Sequence, residues 1–222
     1  ENKYRPLASK SVQGAYPPGS TFKMITAMAA LEGGFISPND QFFCSGHLEV
    51  AERKFHCWKR AGHGSIDLQN SLEQSCDVYY YNLALKVGIE KITAMANRFG
   101  LGERHDIPMS AVAKGLTPTK LWKNRTYGSD WVIGDTVNAS IGQGYLLASP
   151  LQLCVMVARL ASGNLVIPRL IKNIDGIEQP IPETTRLGMN ENNLQTIRRA
   201  MFKVVNDRRG TAYGSRIIGD AM

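Results

Sequence analysis

The segment from Tyr16 to Gly34 constrains this chain more than any other stretch. Tyr16-Pro17-Pro18-Gly19 is a turn signal, and Ser20 follows it as an N-cap or first-turn residue. Apolar residues then recur at helical spacing, at Met24, Ala27, Met28 and Leu31, and Gly33-Gly34 closes the helix. Lys23 sits one turn into this otherwise apolar element. A serine at a helix start and a lysine three residues later share one face, about one turn apart. Burial favours the neutral form of a lysine, which can then serve as a base for the hydroxyl. The positive end of the helix dipole favours both that neutral lysine and a developing negative charge. The plain alternative is a capping serine followed by a surface lysine. The apolar surroundings of Lys23 and the fixed chain entry favour the functional pair.

Around this helix the chain reads as mainly α with a few short strands. Helices are expected at Asp67 to Gln74, Val78 to Val87, Ile89 to Phe99, Ser149-Pro150 to Ala161, and Asn192 to Asn206. The stretch up to Gly64 is rich in Gly, His and Cys and reads as an irregular or two-stranded excursion. Residues 102 to 135, broken by Pro108, Gly115, Pro118 and Gly128, read as a long loop with little regular structure. Leu165 to Ile171 reads as a strand pairing with Ile177 to Ile181 across an Asp-Gly turn.

The charge balance is +7, with 26 basic against 19 acidic residues. The basic residues are scattered and no nucleic-acid-binding signature accompanies them, so a nucleic-acid partner is not expected. No apolar run reaches the length of a membrane span, and Glu1 opens a polar, loop-like stretch without the features of a signal peptide. With its stop at Gly219-Asp220-Ala221-Met222, the chain reads as a single domain over residues 1–222 that is truncated at both ends.

Ser20-Thr21-Phe22-Lys23 is the only S-x-x-K in the sequence, and S-x-x-K opens the motif set of penicillin-binding proteins and class A β-lactamases. The run Gly14-Ala15-Tyr16-Pro17-Pro18-Gly19-Ser20-Thr21-Phe22-Lys23 resembles the active-serine segment of class B penicillin-binding proteins. The resemblance extends through Trp131 to Asn138, Ser140-Ile141-Gly142-Gln143-Gly144, and Ser149-Pro150-Leu151-Gln152-Leu153. Cys57-Trp58-Lys59-Arg60, Gly62-His63-Gly64 and Ser75-Cys76-Asp77 look most similar to the cell-elongation, penicillin-binding protein 2 type.

That resemblance implies an α+β fold, mainly α. The chain would be the helical lobe of the penicillin-binding protein and serine β-lactamase-like fold, with most of the central antiparallel sheet outside it. It implies a D,D-transpeptidase in which Ser20 is acylated and Lys23 is its base. Three triplets compete for the second motif. Ser37-Pro38-Asn39 and Ser162-Gly163-Asn164 both follow helix ends and are explained by turn chemistry. Ser75-Cys76-Asp77 lies between two helices, as in the family, so Ser75 is the expected proton relay. Asp77 replaces the commoner Asn, as in elongation-type enzymes. It is either a substrate contact or a brace, the plain reading being a first-turn helix acid. Gly142, Gln143 and Gly144 are expected near the cleft. The K-[ST]-G strand is expected beyond Met222, so this fragment alone should acylate poorly.

Cys44, Cys57, His63 and Cys76 form a C-x12-C-x5-H-x12-C pattern, a structural-zinc donor set without the paired-cysteine knuckle. A Cys44–Cys57 disulfide or buried free thiols are the alternatives. The resemblance favours zinc, because some penicillin-binding protein 2 enzymes are similar in carrying such a site beside the active serine. There it would tie the excursion to the Ser75 loop. Cys154 reads as core, His47 and His56 as exposed, and Tyr80 as core; Trp122, Trp131 and the other tyrosines stay open between core and groove. The implied partners are the peptidoglycan stem peptide and lipid-linked precursor, β-lactams, a membrane glycosyltransferase and elongation-complex proteins. The implied location is the periplasmic side of the bacterial inner membrane, through an N-terminal helix absent from this chain. A D,D-carboxypeptidase, a β-lactamase-like enzyme, a β-lactam sensor and a zinc-stabilised binding module are the rivals.

Overall fold

The computed structural model describes residues 8–181 and 183–217. The expected opening loop at Glu1 and the last residues, Gly219 to Met222, lie outside the described residues. A short helix α1 (Lys10–Gln13) leads to a 3-10 turn (Gly19–Phe22), which runs directly into α2 (Lys23–Glu32). Ser20 therefore sits in the tighter turn ahead of the α-helix. From Ile25 to Leu31 every residue of α2 is buried, as expected for a helix apolar all round. It packs against α4 (Asp77–Val87), α5 (Ile89–Arg98) and α9 (Glu191–Asn206), so the helix carrying Lys23 is the axis of the core. Fully burying Ile25, Met28 and Leu83 contributes about 1.5–3 kcal/mol each.

Between α2 and α4 the excursion folds into two separate two-stranded antiparallel sheets. β1 (Phe42–Cys44) pairs with β4 (Gly64–Ile66), and β2 (His47–Val50) pairs with β3 (Arg53–His56). The short helix α3 (Leu68–Glu73), capped by Asp67, packs on α9. The remaining helices are α6 (Lys120–Tyr127), α7 (Ile133–Ser140) and α8 (Pro150–Ser162). α8 starts on a reciprocal cap: Gln152 N donates to Ser149 Oγ (3.2 Å) and Ser149 N donates to Gln152 Oε1 (2.9 Å). Gln152 Nε2 also donates to the carbonyls of Glu103 and Lys114, pinning the 103–115 loop onto the helix start.

Three expectations are corrected. The stretch 102–135 holds all of α6 and the start of α7. Thr119 Oγ1 caps α6 by accepting from Trp122 N, and Gly128 ends it in a left-handed conformation (φ +63); both capping signals are in the sequence. Leu165 to Ile171 is not a strand: the hairpin is confined to β5 (Asn173–Ile174) and β6 (Ile177–Glu178) around the Asp175-Gly176 turn. Leu165 N donates instead to Thr185 O. Cys154 is exposed on α8 rather than buried. Tyr80 is core, at 0% exposure, and the two turn triplets at Ser37 and Ser162 are tied up locally with Asp40 and Asn164. Among the described residues no helix is long and apolar enough to cross a membrane.

Candidate active site

Lys23 is 1% exposed, and its ammonium has three donors with three acceptors in reach. Nζ donates to Ser75 O (2.9 Å), Ser75 Oγ (2.9 Å) and Asp77 Oδ1 (2.7 Å). Ser75 Oγ in turn donates to Ser20 Oγ at 3.0 Å. The hydrogen-bond path from Lys23 to Ser20 thus runs through Ser75, the position expected of the second motif. Ser75 occupies the turn between α3 and α4 at φ +52, a left-handed conformation that costs a non-glycine residue energy. Lys23 holds it there by both its carbonyl and its hydroxyl.

Asp77 lies in the first turn of α4 and is 9% exposed. One carboxylate oxygen takes the lysine, and the other accepts from Trp58 N at 2.9 Å. Asp77 is therefore a brace in this structure: it joins Lys23 to the loop that follows Cys57. Trp58 Nε1 also donates to Gln74 O at 3.0 Å, fixing that loop against the Ser75 turn.

Gly142, Gln143 and Gly144 form a turn after α7 that backs onto the entry to Ser20. Gly19 N donates to Gly142 O (2.9 Å), Tyr16 and Ala148 exchange backbone hydrogen bonds (2.8–2.9 Å), and Thr26 Oγ1 donates to Ser140 O (2.8 Å). Gly142 has φ +75, and a β-carbon there would collide with the carbonyl of Gly19. Gly142→Ala should accordingly cost roughly 3 kcal/mol of unfolding free energy, from backbone strain and collision together. Denaturant unfolding measures it, and a loss below about 1 kcal/mol would show that the turn can yield.

A cleft of about 290 Å³ opens in front of Ser20. Ser20, Thr21, Met24, Leu72 and Ser75 form one side, and Met201, Val204, Val205 and Thr211 form the other. The α9 wall had no motif to announce it; only the apolar face of the last helix pointed inward.

Directly behind the Ser75 turn, the ligand atoms of Cys44, Cys57, His63 and Cys76 lie within 4.8 Å of one another. They come from β1, the Trp58 loop, the β4 approach and the N-cap of α4. His63 Nδ1 is 3.6 Å from both Cys44 Sγ and Cys57 Sγ. Tetrahedral zinc, with bonds of about 2.3 Å to sulfur and 2.0–2.1 Å to nitrogen, separates such ligands by about 3.6 Å. No disulfide bond joins these cysteines in this structure. A hydrogen bond from the Cys76 thiol holds Cys57 well below the usual thiol range, and the same bond with burial pushes Cys76 up. Cys57 is thereby a readier thiolate than Cys76. Of the two spare histidines, His56 is exposed and His47 is half-buried opposite it. Trp122 is half-buried against Tyr127 and Tyr145, and Trp131 Nε1 donates to Thr136.

A buried lysine wired through a strained serine to a serine at the head of a core helix is the arrangement of the serine acyl-transfer enzymes of the penicillin-binding class. The chain belongs to the penicillin binding protein transpeptidase domain family, whose model matches residues 1–219. Within that family it is of the penicillin-binding protein 2, or MrdA, type. It is 36% identical over 184 residues to the peptidoglycan D,D-transpeptidase MrdA of Salmonella typhimurium (82% of this chain, 30% of that one). It is 36% identical over 225 residues to the Haemophilus influenzae MrdA (98% of this chain, 34% of that one). The chain thus spans about a third of the length of these curated relatives. Pseudomonas aeruginosa PBP2, solved in complex with WCK 5153, superposes with a TM-score of 0.88 at 36% identity, covering 95% of this chain and 49% of that one. A Helicobacter pylori PBP2–MreC complex matches with a TM-score of 0.88 at 34% identity, over 97% of this chain and 40% of that one. The mainly helical fold with small sheets is that of a fragment of the penicillin-binding protein transpeptidase domain.

Proposed function

We propose that this chain carries the acylation centre of a peptidoglycan D,D-transpeptidase of the elongation type, with Ser20 as nucleophile. The observation that carries the reading is the Lys23–Ser75–Ser20 hydrogen-bond line. With Lys23 neutral the line reverses: Ser20 Oγ gives its proton to Ser75 as Ser75 gives its own to Lys23. Ser20 Oγ then bonds to the penultimate D-Ala carbonyl of a stem peptide. The positive end of the turn and helix behind Ser20 favours the developing oxyanion. The proton returns along the same line to the departing D-Ala amine, and an amine of a neighbouring stem resolves the ester. β-Lactams would open on the same serine. Gly142, Gln143 and Gly144 border the approach to Ser20 and are the expected substrate-side turn.

Cys44, Cys57, His63 and Cys76 would hold a structural zinc ion, and their donor set and spacing support that assignment. The ion would hold thiolates together and carry no step of the reaction. Its effect would be to fix Cys76, and so the residues on either side of it, Ser75 and Asp77. The relatives solved as a PBP2–MreC complex and as a peptidoglycan synthase complex support a place among elongation proteins and a membrane glycosyltransferase. Work on lipid-linked precursor at the periplasmic face of the inner membrane, through an anchor outside this chain, belongs to the same reading.

Intact mass after incubation with a labelled penicillin tests the centre, using the full-length protein. The expected result is one adduct in the wild type and none in Ser20→Ala. An adduct that persists in Ser20→Ala moves the nucleophile elsewhere.

A further inference from the structure

Two acidic side chains are buried among the described residues, Asp77 and Glu73. Asp77 is accounted for by Lys23 and Trp58. Glu73 is not. It ends α3 at 0% exposure, two residues before Ser75, and neither carboxylate oxygen has a hydrogen-bond partner. Its neighbours are charges from the far side of the cleft. Arg209 Nε lies 3.2 Å from Oε1 and Lys203 Nζ lies 3.6 Å from Oε2. Asp207 also faces it, itself 3.6 Å from Arg209 Nε. The backbone adds one direct bond across the same gap, from Thr211 N to Glu73 O at 3.1 Å.

These contacts have a common geometry. Glu73 stands at the root of the Ser75 turn, which forms one wall of the cleft. Lys203, Arg209 and Thr211 belong to the end of α9 and the turn after it, which forms the other. We propose that Glu73 is a positioning residue: its buried carboxylate draws the Lys203–Thr211 segment onto the Ser75 turn and so sets the spacing of the two cleft walls in front of Ser20. The proposal rests on the reading of Ser20 as the acylated serine.

A carboxylate kept only for stability would not be placed this way. Burial raises the pKa of Glu73 first of all, Arg209 and Lys203 pull it down, and Asp207 pushes it up, for a net rise. A carboxyl group raised in the folded state stabilises the fold below its ordinary pKa. That contribution is lost as pH rises through the folded value. At neutral pH its ionisation therefore weighs against folding, and the partly exposed cations can return to water if it is removed.

The separating experiment measures penicillin acylation and melting temperature together, at neutral pH, in full-length wild type, Glu73→Gln and Arg209→Gln. Glu73→Gln should melt at or above the wild-type temperature while its acylation rate constant at saturating penicillin falls roughly a hundredfold, the loss that a misplacement of about 1 Å brings. Arg209→Gln should lower acylation in the same direction and also lower the melting temperature, because Glu73 then keeps only Lys203 of its two cations. Acylation at the wild-type rate in Glu73→Gln, or a loss in that variant matched by a lower melting temperature, overturns the proposal. A wild-type protein that takes no label overturns the reading of Ser20 instead.

Discussion

Replacing Lys23 by methionine is expected to lower the acylation rate constant of Ser20 roughly a thousandfold, the usual worth of a positioned general base. Methionine fills a similar volume, so the 1%-exposed site stays packed while the proton acceptor is lost. The single variant also strands Asp77, which keeps only Trp58 N as a partner. Breaking a buried pair in this way costs about 3–5 kcal/mol, so poor folding alone could mimic lost chemistry. Adding Asp77→Asn separates the two effects. The double variant should regain much of the lost stability, because no unpaired charge remains, and should still acylate about a thousandfold slowly. Stopped-flow acylation with a fluorescent penicillin, read beside thermal unfolding, gives both quantities. Near-normal acylation by the double variant would remove Lys23 from the role of base.

The same pair of residues shows what a sequence discloses and what it withholds. Ser20, Lys23 and Ser75 are legible because each sits at a helix boundary marked by local signals: Pro-Pro-Gly before Ser20, an apolar face around Lys23, and a break between two helical runs at Ser75. Helices α4, α5, α8 and α9 follow from periodicity and caps for the same reason. The S-x-x-K motif by itself does not give the route of the proton; Ser75 entered as its relay through the family resemblance. Nothing in S-x-x-K says that Nζ turns to Ser75 and Asp77, since that choice is made by residues 52 and 54 positions away. Asp77 was open between substrate contact and brace, and the sequence did not show that its second oxygen accepts from Trp58 N. Nothing in the sequence singled out Glu73, because its burial depends on α9 folding over it from more than a hundred residues later. Helix α6 was hidden by its flanking Pro118 and Gly128, which bound it as punctuation rather than dissolve it.

The cysteine cluster carries the other large expected effect. The excursion from β1 to β4 has little apolar support of its own: its two-stranded sheets lie apart, and Phe43 and Trp58 are 71% and 58% exposed. Isolated two-stranded hairpins are marginal in water. Phe42, Leu48 and Phe55 pack it onto the helical core, Trp58 bonds to Asp77 and Gln74, and four side chains from four segments meet behind Ser75. A bound metal at a thousand times its dissociation constant stabilises by about 4 kcal/mol, and about 2–4 °C accompanies each kcal/mol in a domain of this size. Stripping zinc with a strong chelator should therefore lower the melting temperature by on the order of 10 °C. Restoring zinc should reverse the fall. Cys57→Ser should show the same lowered melting without chelator, and metal analysis should find it depleted. Acylation should fall with the metal, because Cys76 lies between Ser75 and Asp77 and its release frees both ends of the Lys23 contact. Native mass spectrometry of freshly purified protein supplies the stoichiometry. No zinc in the wild type, together with melting indifferent to chelation, would leave the cluster as three packed thiols and a histidine. The Ser75 turn would then depend on Lys23 and Asp77 alone.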